Sequence, residues 1–229
     1  MYQNLSPSRR AYEITARVLL YLCSGLTCVL LLFLIGYIFY KGVPGISWSF
    51  LTTAESVLND TVGILPAIIN TLYVIVISLI IVLPLGVGGA IYLTEYARNR
   101  RLVEIIEFAT ETLAGIPSII YALVGNIIFC VSLQLGKTLI AGSLTLVIMI
   151  LPTIIRTTQE SLKTVPQSYR EGSLGLGSGK WHMIRTVVLP SSVDGIVTGC
   201  ILAVGRIVGE SAILMYTVSV STMMQDFST

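Results

Sequence analysis

The chain has 229 residues, 54% of them hydrophobic and 11% charged, with a mean hydropathy of +0.86. Soluble domains carry about 25% charged residues, so these charges cannot cover a water-soluble globule and the apolar excess must face lipid. The net charge of +2 is too small to point to nucleic acid as a partner.

Arg9, Arg10 and Arg17 precede a charge-free run over 18–40. A signal-peptide core is about 7–15 residues long and a bilayer crossing takes about 20, so this run reads as a first transmembrane helix that stays. A short loop follows, with Pro44 and Gly45 signalling turns and Trp48 an interfacial anchor. The next charge-free stretch gives a span over about 64–93, kinked or tightly packed at Pro84, Gly86, Gly88 and Gly89. A third span is expected over about 112–135, interrupted near its start by Gly115 and Pro117, and a fourth over 138–156. A fifth, over 193–222, carries Arg206 and Glu210 within its apolar stretch. Cys23, Cys28, Cys130 and Cys200 all lie in apolar runs without a CxxC or Cys/His grouping, and read as packing residues rather than metal ligands.

The basic residues orient these spans. With the N-terminus inside, the inner segments collect eleven Lys and Arg residues, and the outer segments only Lys41 and Lys137. The whole chain, 1–229, is therefore expected to be one all-α transmembrane domain, a polytopic bundle of five spans with a large cytoplasmic loop at 157–190.

That loop carries the most specific pattern. Pro166 can open a short helix containing Glu171. Gly175, Gly177 and Gly179 would end it, and a second helix follows with Trp181, Ile184, Val187 and Val188 on roughly one apolar face. Two short helices joined by a glycine turn make a rigid knob for a partner's groove. The string Gly177-Ser178-Gly179-Lys180 imitates the end of a phosphate-binding loop, but Leu174 and Trp181 stand where that motif needs Gly and Ser or Thr. No nucleotide or other cofactor is expected to bind this chain.

The spacing of Glu171, Gly177, Val187 and Leu189-Pro190 resembles the EAA motif of permease subunits in bacterial ABC importers, with Gly172 and Ser173 in place of the two alanines. The resemblance implies the type I, MetI-like fold, and a loop that docks on a separate ATPase through Glu171, Gly177, Leu189 and Pro190. It also implies a sixth span in the family's full pattern.

Arg206 and Glu210 are the intramembrane charges. An arginine near mid-bilayer costs about 2.5–3.5 kcal/mol even on lenient scales, so such a residue faces a bundle interior or water and marks a transport path. Four residues apart, the two would share a helix face, with Gly205 and Gly209 allowing another helix close. They either neutralise each other or line the pathway, and the guanidinium fork matches the oxygens of an oxyanion. Gly205 to Thr217, with Gly115-Ile116-Pro117-Ser118-Ile119-Ile120-Tyr121-Ala122, resembles the A-type subunit of the phosphate-importer branch. The resemblance implies inorganic phosphate as cargo, with molybdate, sulfate or phosphonate as alternatives. Implied partners are a second homologous permease, a dimeric ATPase that binds the ATP and magnesium, and an extracytoplasmic phosphate-binding protein, all at the bacterial inner membrane.

A stand-alone channel or secondary transporter has no use for the coupling-loop spacing. An intramembrane protease would need a membrane-embedded Ser/His pair, yet the single histidine, His182, falls in the cytoplasmic loop. No catalytic or metal-binding residue is therefore assigned.

Overall fold

The structure, a computed structural model, describes residues 7–54 and 63–218. Among them every element is helical. Helix α1, Pro7–Gly42, covers the first expected span, and the side chains of 17–42 all stand exposed. Its apolar stretch is 0% buried by the rest of the chain, so lipid or another subunit must cover it. A short helix α2, Trp48–Thr52, is capped by Ser47, whose hydroxyl accepts from the Phe50 amide at 3.1 Å. Trp48 is exposed, as an interfacial anchor requires.

Helix α3, Leu65–Ile91, opens with Pro66 and passes through Pro84. Its buried positions Val74, Ser78, Val82, Gly86 and Ala90 recur every four residues, a ridge that packs along helix α6, Leu139–Thr164. Gly86 is needed there, because a Cβ would overlap Ile154. The helix ends in a wide π turn, Tyr92–Tyr96.

The third expected span is not one helix. Residues 112–114 finish α4, Arg100–Ala114, which is capped by the Asn99 side chain and meets α5, Ser118–Gly125, at 98°. Pro117 causes the break: it stands extended at ψ 136° just ahead of α5, and the Tyr121 hydroxyl donates to the freed carbonyl of Leu113 at 2.7 Å. Only Ser118 to Ser132 follow the crossing direction, the last seven residues in π form.

Helix α6 is the hub. Leu146, Met149, Ile150 and Ile154 are almost fully buried, and α3, α4, α5 and the last two helices all pack on it. It runs eight residues past the expected end at 156, so the first part of the expected loop is helix. Arg156 pairs with Glu160 one turn on, and Thr157 and Ser161 pack against α10, Val193–Gly209. A Cβ at Gly195 would overlap Ser161, and one at Gly199 would overlap Thr157. Replacing Gly199 by leucine is expected to destabilise the bundle by about 1–3 kcal/mol, read as a lower melting temperature in detergent. Gly88→Leu, which meets open space, should leave that temperature unchanged.

Between α6 and α10 lies the expected knob: α7, Gln167–Gly175, then α8, Lys180–Met183, continued by a π segment, Ile184–Val188, and α9, Leu189–Ser191. The chain turns 65° into α10. The fifth span also departs from expectation, since α10 stops at Gly209 and a short α11, Ala212–Thr217, follows; residues 219–222 lie outside the described residues. By length and composition, three straight helices and two bent pairs could cross a membrane among the described residues.

Candidate translocation site and coupling knob

Arg206 sits half-buried on α10, between buried Ala203 and Ile207. Its Nη1 donates to Thr153 Oγ1 on α6 at 3.3 Å. A guanidinium has five N–H donors, so one long bond to a hydroxyl leaves capacity for a passing anion. The expected shared helix face does not form, and mutual neutralisation, one of the two alternatives, is not seen. Glu210 has left the helix, with φ −91° and ψ 105°, and no ion pair among the described residues includes either charge. Gly209 weakens the last turn, and the amide of Glu210 bonds back to the Ile207 carbonyl at 3.1 Å, closing the helix. Gly205 and Gly209 face open space rather than a neighbouring helix of this chain. Two interrupted helices, at Pro117 and at Glu210, thus flank α6; breaks of this kind at membrane depth are tolerated where they line a cavity.

Toward the knob, α4 lays carboxylates on the basic end of α6. Arg156 meets Glu111 at 2.6 Å, Lys163 meets Glu107 at 3.2 Å, and the Gln159 amide also donates to Glu107 at 3.2 Å. These pairs are largely exposed and each contributes little to stability, but together they fix how α4 lies on α6. Their signal in the sequence is Glu104, Glu107 and Glu111 on one stripe of an amphipathic helix, a stripe hidden when the region is read only for apolar runs.

In the knob, Glu171 is exposed on α7 and Gly177 makes the turn at φ 82°, a conformation that favours glycine. Ser178 donates to the Ser173 carbonyl at 2.8 Å and tightens that turn. Leu189 is half-buried and Pro190 exposed, both in α9. The expected apolar face divides in two. Ile184 and Val188 are fully buried with Ala90, Leu162, Val165 and Met183, whereas Val187 is half-buried and Trp181 faces outward. Trp181 at 61% exposure, Tyr169 at 55% and Leu176 at 91% are large apolar groups left largely uncovered on this loop. Lys180 donates to the Glu95 carbonyl and stands 5.0 Å above the Tyr96 ring, so the phosphate-loop look-alike is a structural tether. A buried ion pair, Arg170 with Glu95, escaped the sequence reading, in which Arg170 counted only toward orientation.

The sequence model of the binding-protein-dependent transport system inner membrane component family matches residues 83–228. The chain belongs to this family. The permease is 36% identical over 207 residues to the probable ABC transporter permease protein YqgI of Bacillus subtilis, a match spanning 90% of this chain and 70% of that one. It is 38% identical over 178 residues to the phosphate transport system permease protein PstA of Yersinia pestis, spanning 77% of this chain and 60% of that one. PstA of Haemophilus influenzae is 34% identical over 181 residues, with 77% and 62% covered. The permease thus spans about 60–70% of the length of these relatives. Its fold matches that of the inward-facing MetNI methionine ABC transporter with a TM-score of 0.53 at 23% identity, over 64% of this chain and 68% of that one. A MetI-like, multi-pass membrane permease is therefore established.

Proposed function

We propose that this permease forms half of a pathway for inorganic phosphate through the bacterial inner membrane, driven by a separate ATPase seated on the α7–α8 knob. Supporting the reading above all is the knob itself: Leu176, Tyr169 and Trp181 stand exposed around a glycine turn on the motif spacing of Glu171, Gly177, Leu189 and Pro190. Such apolar anchors on a rigid element suit a partner's groove. ATP and magnesium belong to that partner. A second permease completes the pathway, and an external phosphate-binding protein delivers cargo. The N-terminus lies in the cytoplasm, which keeps eleven of the basic residues inside.

Phosphate as cargo is supported by the names of the PstA relatives and by an uncommitted guanidinium at Arg206 beside two helix breaks. Arg206 contacts the anion, and Glu210, freed from the helix, limits how long it stays. In proteoliposomes holding the permease, its partner permease and the ATPase, with the binding protein outside, labelled phosphate is expected to accumulate with ATP inside. Excess sulfate, molybdate or phosphonate should leave that uptake intact. Competition by one of these would transfer the assignment to that oxyanion, and uptake without any ATPase would defeat it.

A further inference from the structure

The turn that ends α3 and the knob are joined by charges buried on both sides. The side chains of Arg170 and Glu95 are 12% and 7% exposed. Arg170 Nε and Nη2 reach Glu95 Oε1 at 3.0 and 2.9 Å, Nη1 donates to the Val165 carbonyl at 2.6 Å, and Nη2 also donates to the Leu162 carbonyl at 2.8 Å. One planar group on α7 therefore holds the inner end of α3 and the last carbonyls of α6 together. Lys180, on α8, grips the same turn through the Glu95 carbonyl and the Tyr96 ring. Both arms of the knob thus pull on Tyr92–Tyr96, a π turn of the irregular kind that recurs at functional sites.

Stability alone is a poor reason for this arrangement. A buried ion pair replaced by apolar groups of similar volume is often neutral or stabilising, while removal of one partner is damaging. What the pair adds is direction: two guanidinium nitrogens converging on Glu95 Oε1, backed by bonds to two backbone carbonyls, hold one orientation, whereas the apolar cluster of Ala90, Ile184 and Val188 is non-directional. We propose that Glu95, Arg170 and Lys180 form the joint that converts displacement of the knob into movement of α3, and so set how much cargo moves per ATP hydrolysed. The inference rests on the importer reading above.

The test is the ratio of phosphate transported to ATP hydrolysed by the reconstituted complex. The double variant Glu95→Met/Arg170→Met removes the fork but keeps an apolar fill. It is expected to assemble and hydrolyse ATP, with the ratio lowered about tenfold, within the usual span of coupling energies. A ratio restored to the wild-type value in the double variant would reduce the pair to packing and overturn the proposal. Should that variant fail to assemble, Lys180→Met leaves the ion pair in place and is expected to lower the ratio severalfold, and an unchanged ratio there overturns the proposal. If the wild-type complex hydrolyses ATP without moving phosphate, it is the importer reading that fails. The joint is then read from amide exchange, where nucleotide-dependent protection at 167–175 should be accompanied by protection at 92–96 in the wild type but not in the double variant. Independent behaviour of the two segments in the wild type overturns it.

Discussion

Arg206→Ala is expected to lower phosphate uptake by the reconstituted complex ten- to hundredfold while leaving assembly intact. Arg206 contributes little to the fold: it is half-buried, and its hydrogen bond within the chain is a 3.3 Å contact to Thr153. On the proposed reading, what it loses on truncation is a charged donor to the cargo, worth about 1.5–3 kcal/mol to an anion it contacts. Arg206→Lys should fall between, since the ammonium keeps the charge but not the planar fork. Thr153→Ala removes the competing hydroxyl and should leave uptake near the wild-type level. Normal uptake by Arg206→Ala in a correctly assembled complex would remove Arg206 from the pathway.

The second large effect belongs to the knob. Leu176→Asp with Trp181→Asp is expected to abolish co-purification of the ATPase, because both side chains are exposed in this chain and become buried only against a partner. Anchors of this kind cost about 2 kcal/mol or more each when lost, roughly thirtyfold in affinity per residue, and a carboxylate in the groove adds desolvation. Since neither residue belongs to the buried cluster of Met183, Ile184 and Val188, the permease itself should keep its melting temperature. Undiminished co-purification of the ATPase would mean that another surface carries the contact.

The features legible in the sequence were those encoded locally. The charge-free run of α1, the close packing of α3 at Gly86 and the glycine that turns the knob at φ 82° each depend on a few neighbouring residues. Pro117 announced a broken helix, but not that α4 would lie at 98° to α5, where its carboxylates meet Arg156 and Lys163 on a helix some fifty residues away. Arg206 and Glu210 were found by their cost in lipid, yet the helix face they were expected to share presupposed an unbroken helix, and the chain leaves helical geometry one residue after Gly209. Arg170 and Glu95 are separated by 75 positions, so nothing in either local pattern shows that they meet.

The seam between α6 and α10 constrains how this bundle can move. Gly195 rests on Ser161 and Gly199 on Thr157, so the two rods approach closely at points one turn apart. Arg206 stands thirteen residues along α10 from its start at Val193, about 20 Å away at the helical rise. On the importer reading, a stroke delivered at the knob end of that closely packed pair runs along α10 toward the guanidinium, and the helix gives out just beyond it, at Glu210.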